Sequence, residues 1–347
     1  MKRLPAPVTV ALAAVVAGAA LTGLGLTYTP DSNTAQRDSQ APPQSGPTSS
    51  GAVLGQAGGP SPSPTALAGQ TVLLLGDSLA AGEGAGSYLT GTDEPHQRCH
   101  RSATALFSGT GADVINVGCS RAIIRNLAAP QQHSEYNARA EPAQLAAGAA
   151  ALAGRTADIT VVMVGGNDIR FAEIFNMCVL SDEDCSANSL FTAQAIQAAE
   201  GLSARLGGVY RDVAAAADGK TVLVPAYPQL FSESGPECGR ISSAEAAFAR
   251  GLTAGLNRAI RQAAQEAAAA FPGVRFVPDT VAALSGHGAC DPDPFVHSVL
   301  PTSLIGAVQA PGAAQELLHP TAAGYGKLTE AISRWLAVNP SVTNPAP

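Results

Sequence analysis

The chain has 347 residues and a formal net charge of −7, and no block of Lys or Arg follows its first residues, which argues against nucleic acid as a partner. Hydrophobic residues make up 46% of it and charged residues 14%, enough apolar material for one large domain with a buried core. Its six cysteines, none in a C-x-x-C pair, argue against a structural zinc site.

Lys2 and Arg3 precede an almost uncharged apolar run, Val8–Leu26, which reads as an export signal. Ala17-Gly18-Ala19 offers a small-x-small cleavage site, so a cleaved signal peptide is favoured. The run up to Leu26 would nearly span a bilayer if left uncut, giving an anchor over residues 1–30 and association with the cell envelope. Residues 31–68 are rich in Ser, Pro, Gly, Gln and Ala and cannot bury enough apolar surface to offset the entropy of ordering them, so they read as a linker. The folded domain is expected over 69–338, followed by a flexible tail at 339–347. In an exported chain an even cysteine count argues for disulfides. Sequence order suggests Cys99–Cys119, Cys178–Cys185 and Cys238–Cys290, although six cysteines admit other pairings.

Five apolar, β-rich runs follow: Thr71–Leu75, Asp113–Val117, Asp158–Val164, Thr221–Pro225 and Val274–Val277. Between and after them lie Ala-rich segments predicted as helices, Pro142–Gly154, Leu190–Ala217, Ala244–Ala270 and Ala322–Leu336. Strands alternating with helices imply a parallel sheet covered on both faces, with ligands bound beyond the carboxyl ends of the strands.

The chemistry-bearing residues sit at those ends. The first run closes in Gly76-Asp77-Ser78-Leu79, where a tight turn can project a serine hydroxyl at the mouth of the sheet, although such a turn is more often only a cap. The second closes in Asn116-Val117-Gly118, whose glycine leaves an N–H open to close approach. The third closes in Gly165-Gly166-Asn167-Asp168, which sets an amide beside the same crevice. Near the C-terminus, Glu316-Leu317-Leu318-His319-Pro320-Thr321 opens the last helix and offers a histidine, the usual base for a serine nucleophile.

These four blocks, in this order, resemble the SGNH hydrolases, also called the GDSL esterase and lipase family. Cys99-His100-Arg101-Ser102 and the six-cysteine pattern are similar to the secreted actinobacterial branch with three disulfides. The resemblance covers nearly all of residues 70–336. It implies a flavodoxin-like three-layer α/β/α domain with a five-stranded parallel sheet, and hydrolysis of carboxylic esters without a cofactor or metal. It implies Ser78 as nucleophile, His319 as base, and an oxyanion hole from the N–H groups of Ser78 and Gly118 with the Asn167 side chain. The family commonly carries Asp three residues before the histidine. Here Glu316 stands there, and its carboxylate or its backbone carbonyl is expected to orient His319. The family's substrates include lipids, phospholipids, short acyl esters and sugar acetates, so carbohydrate O-acetyl hydrolysis is the alternative activity. Oligomeric state is not legible, and a monomer is expected.

Other signals carry less weight. Gly118-Cys119-Ser120-Arg121-Ala122 imitates a nucleophile elbow and makes Ser120 the rival nucleophile, but leaves the Gly76 and Asn167 blocks unexplained. His96 and His100 have a spacing that a metal could use, but their neighbours Pro95 and Cys99 favour a disulfide-bound loop instead. Asp291, Asp293 and His297 read as solvated loop charge rather than a second acid–base site. Phe171, Ile174, Phe175 and Met177 line an acyl pocket or simply pack in the core. A wall- or glycan-binding module that kept the fold is the non-enzymatic alternative.

Overall fold

A computed structural model describes residues 67–94, 98–132, 140–171, 174, 178, 184–233, 241–298 and 313–340. The expected signal segment and most of the expected linker lie outside these residues. Leu67, assigned to the linker, is instead buried in the core, where the chain hydrogen-bonds through Gly69 N–H to Gly111 O at 3.1 Å.

The sheet has five parallel strands: β1 (Thr71–Gly76), β2 (Asp113–Asn116), β3 (Ile159–Met163), β4 (Thr221–Pro225) and β5 (Val274–Val277). Their order is β2-β1-β3-β4-β5. Every residue of β3 and β4 is buried, as expected of parallel strands covered on both sides. Besides one turn of helix at Ala313–Glu316, the helices among the described residues are α1 (Ser78–Ala81), α2 (Gln144–Leu152), α3 (Ser189–Glu200), α4 (Ser203–Ala216), α5 (Ser243–Ala270) and α6 (Ala322–Val338). This is the expected three-layer α/β/α arrangement.

The five strands coincide with the five apolar runs to within two residues at either end. One predicted helix is two: the segment Leu190–Ala217 breaks at Gly201-Leu202, where glycine is a poor helix former and the buried Leu202 turns inward. The long α5 starts at a capping box in which Ser242 accepts from Glu245 N–H and Glu245 accepts from Ser242 N–H. Its buried residues Phe248, Leu252, Leu256, Ile260 and Ala263 recur every three or four positions and form one stripe facing the core. Two expected disulfides are formed, Cys99–Cys119 and Cys178–Cys185. The expected Cys238–Cys290 pair includes Cys238, which lies outside the described residues.

β1 and β3 are adjacent, and the chain leaves β1 toward β2 on one side and β3 toward β4 on the other. The ends of β1 and β3 therefore form the point where strand order reverses, the usual ligand crevice of such sheets. Gly76 ends β1 at φ 137°, and a Cβ there would lie 1.8 Å from Met163 O, so only glycine fits. Gly76→Ala is expected to lower stability by about 3 kcal/mol or more, through clash and strain together. Gly86→Ala, at φ 67° with open space around the added methyl, is expected to cost about 1 kcal/mol. Equilibrium urea unfolding of both variants checks the difference; equal losses would refute the steric account.

Candidate active site

Beyond Gly76 the chain turns sharply. Asp77 N–H donates to Met163 O at 2.8 Å, the Asp77 side chain goes inward, and Ser78 becomes the first residue of α1. Asp77 Oδ1 caps the helix by accepting from Leu79 N–H, and the Tyr227 hydroxyl donates to Oδ2. That hydroxyl in turn accepts from Gly166 N–H at 3.2 Å, so one carboxyl group ties together the ends of β1, β3 and β4. Gln144 completes the end of β1, its carboxamide accepting from Gly76 N–H at 2.7 Å and donating to Gly76 O at 2.8 Å.

His319 reaches Ser78 from the far end of the chain. Its Nε2 lies 2.8 Å from Ser78 Oγ and its Nδ1 lies 3.1 Å from Leu317 O. A carbonyl can only accept, so Nδ1 carries the hydrogen and Nε2 is left to take a proton from the serine. A tight turn makes this possible: His319 N–H donates to Glu316 O at 2.9 Å, and Leu318 sits at φ 59°, an uncommon conformation for a bulky residue. The turn is pinned by pairing with a neighbouring segment, through Leu318 N–H to His297 O at 3.0 Å and His297 N–H to His319 O at 2.8 Å. Burial pushes the imidazole below its ordinary range, with the nearby Glu83 opposing that shift, so the ring is a free base at neutral pH.

Glu316 does not reach the imidazole nitrogen. Its Oε1 accepts from the Tyr88 hydroxyl at 2.5 Å and its Oε2 lies 4.0 Å from His297 Nε2. The acceptor at Nδ1 is the carbonyl of the following residue, Leu317.

Asn167 stands in a short turn after β3 and donates one Nδ2 hydrogen to Ala122 O at 3.0 Å, which leaves a second on the same nitrogen. Asp168 fixes that turn by accepting from Ile124 N–H and pairing with Arg205. Gly118 packs against α1, where a Cβ would meet Ala81 N at 2.9 Å. Its N–H donates to Asn116 Oδ1 at 3.0 Å, and the Asn116 amide donates to Ala80 O and Ala81 O.

Ser78, Asn167 and His319 line a cleft of about 580 Å³, counting its open mouth, whose walls are apolar. Its apolar lining includes Leu79, Ile169, Phe171, Leu230, Leu252 and Leu256, and Leu318, the neighbour of His319 in the chain. Of the suggested apolar cluster, Phe171 lines the cleft and Ile174 is buried; Phe175 and Met177 lie outside the described residues.

The rival signals take other places. Ser120 is 1% exposed and donates to Glu83 Oε2, with its own N–H on Cys99 O. His100 binds Glu83 Oε1 through Nδ1 at 2.6 Å, and His96 lies outside the described residues. Asp291 accepts from Ser232 and from Gly288 N–H, whereas His297 bonds Gly84 O at 2.7 Å, so these loop groups do not converge. Tyr227, Leu317 and Glu83 carry no motif signal; only the position of Tyr227 just beyond β4 pointed to the crevice.

A hydroxyl and an imidazole joined at the switch point of a parallel sheet, above an apolar cleft, define a serine-hydrolase arrangement. Residues 74–327 match the GDSL-like lipase/acylhydrolase family, and the chain belongs to it. It is a carboxylic ester hydrolase of that family. It is 27% identical over 257 residues to Lipase 1 of Streptomyces coelicolor, covering 72% of this chain and 80% of the relative. It is 28% identical over 260 residues to a lipase of Streptomyces rimosus, covering 73% and 81%. Its fold matches the crystal structure of phospholipase A1 from Streptomyces albidoflavus at a TM-score of 0.55 and 24% identity, over 76% of this chain and 98% of that one.

Burial raises the Asp77 carboxyl to about 7, against a partial lowering by the Tyr227 hydroxyl. Below about pH 4 the group is protonated folded or unfolded; between there and about 7 the unfolded chain ionises first, so this contribution to stability is lost as pH rises. Asp77→Asn has no such titration. Its stability relative to the natural protein is expected to rise on the order of a few kcal/mol from pH 4 to pH 7 and then level. Urea titrations across that range check this, and a pH-independent difference would refute it.

Proposed function

We propose that this chain is an exported lipase or esterase in which Ser78 attacks the ester carbonyl and His319 takes and returns the proton. The observation that carries the reading is the 2.8 Å contact between Ser78 Oγ and His319 Nε2 at the mouth of the apolar cleft. His319 removes the Ser78 proton as the oxygen attacks, and the tetrahedral oxyanion is held by Ser78 N–H and Asn167 Nδ2. Gly118 N–H joins them by exchanging its Asn116 partner for the oxyanion. The alcohol leaves with the proton from His319, and water releases the acid by the same route. Leu317 O keeps the imidazole in the working tautomer, in the position where Glu316 was expected.

The apolar walls favour an acyl chain longer than acetyl, since each buried methylene contributes about 0.8 kcal/mol of transfer energy. This supports a lipid or medium-chain ester over a sugar acetate. Export is supported by the Lys2-Arg3 and Val8–Leu26 pattern together with disulfides, which persist in oxidising compartments. Among the described residues no helix is long and apolar enough to cross a membrane.

The test is hydrolysis of p-nitrophenyl esters from acetate to palmitate. The natural protein is expected to prefer butyrate or longer chains. Ser78→Ala is expected to lose roughly 10⁴-fold or more, Asn167→Ala roughly 10²–10³-fold, and Ser120→Ala to stay within about tenfold. Activity surviving in Ser78→Ala would overturn the nucleophile; a clear preference for acetate would favour the O-acetyl alternative.

A further inference from the structure

Among the described residues no carboxylate hydrogen-bonds to the His319 ring. Leu317 O fixes the tautomer but is neutral, and Glu316 is 23% exposed and engaged by Tyr88. A second carboxylate lies behind the site. Glu83 follows α1, five residues after the nucleophile, and its side chain is 0% exposed. Its backbone belongs to the site: Glu83 N–H donates to Ser78 O at 3.0 Å, and the Tyr325 hydroxyl donates to Glu83 O at 3.0 Å. The next residue, Gly84, presses on the histidine, since a Cβ there would lie 3.1 Å from His319 Cβ and 2.7 Å from Pro320 O.

Burying a carboxylate so completely is unfavourable unless donors surround it. Glu83 has them: His100 Nδ1 at 2.6 Å on Oε1, with Ser120 Oγ at 2.5 Å and Gln315 Nε2 at 2.8 Å on Oε2. Gln315 lies in the turn of helix Ala313–Glu316 that leads into the His319 turn, so the carboxylate is anchored beside that turn as well as to the nucleophile's.

We propose that Glu83 is a positioning residue that supplies the buried negative charge stabilising the His319 imidazolium during ester cleavage. The inference rests on the Ser78–His319 reading. Its surroundings favour the ionised form of Glu83: burial pushes the carboxyl up, but the hydrogen bond from His100, the electrostatic attraction of His319 and of His100, and the hydrogen bond from Ser120 carry it below its usual range. Other charges face the same groups. His297 opposes protonation of His319 and Glu316 favours it, both from partly exposed positions; Asp93 lies 3.0 Å from His100 Nε2 at the outer edge of the Glu83 cluster. Water screens those groups. Glu83 itself is fully buried, where a charge is felt most strongly.

The experiment is the pH profile of kcat/KM for p-nitrophenyl butyrate in the natural protein, Glu83→Gln and Glu83→Asp. Glu83→Gln removes the charge at nearly constant shape. Its acid limb is expected to move down by about one pH unit, with kcat lower by about tenfold. Glu83→Asp keeps the charge, and its limb is expected to lie closer to that of the natural protein. A folded Glu83→Gln whose limb stays in place, however low its activity, would overturn the proposal. Should Glu83→Gln not fold, Glu83→Gln/His100→Gln provides two amides that can satisfy each other in the same space and is read by the same criterion. His319→Ala separates the two readings: if it keeps activity, the base assignment fails, whereas an unmoved limb with His319-dependent activity removes only the role of Glu83.

Discussion

The contact of β1 with β3 at Gly76 is the constraint on which the site depends. With Met163 O 1.8 Å from where a Cβ would stand, the backbone can continue only by turning at positive φ. That turn sends Asp77 into the protein and leaves Ser78 at the cleft. A buried Asp77 then needs partners, and it finds them in α1, through Leu79 N–H, and in Tyr227 from the end of β4. One steric fact thus aligns three strand ends and sets the direction of the serine hydroxyl.

The histidine arrives independently, from a position 241 residues later, and its placement depends on a different device. No regular strand or long helix holds it. The turn at Glu316–His319 is locked by hydrogen bonds to the His297 segment and by the bridge between Val296 and Pro320. Leu318 is held at φ 59° because both flanking groups are bonded, and strain of this sort persists only where the surroundings over-determine it. The two halves are then joined by Tyr325, whose hydroxyl donates to Glu83 O and approaches Ser78 O at 3.4 Å, and by the fit of Gly84 against His319.

The strands were legible because residues buried on both sheet faces must be apolar throughout, and Thr221–Pro225 and Val274–Val277 read without error. The block order made Ser78, Asn167 and His319 legible as a set, and the structure brings them to one cleft. The break at Gly201 was not legible, because the alanines on both sides favour one continuous helix. The contact at Nδ1 was not legible either. Spacing placed Glu316 near His319, but which oxygen meets the ring is decided by the φ of Leu318, and no local pattern announces a leucine in that conformation. The bonds from Tyr227 to Asp77 and from Ser120 to Glu83 span 150 and 37 residues, so local spacing could not report them.

Two buried carboxyl groups flank Ser78, and the structure treats them oppositely. Asp77 receives backbone N–H groups and one phenol, too little to offset full burial, and its carboxyl is raised to about 7. Glu83 receives an imidazole, a hydroxyl and an amide on its two oxygens and stays charged. The difference suits their places. Asp77 precedes Ser78 directly, where, in the proposed mechanism, a full negative charge would repel an oxyanion. Glu83 is anchored to Gln315, near His319, where the proposed mechanism develops positive charge. Burial and the polar and charged groups around each carboxyl together set where negative charge resides, and they favour it at Glu83, beside the proposed base, over Asp77.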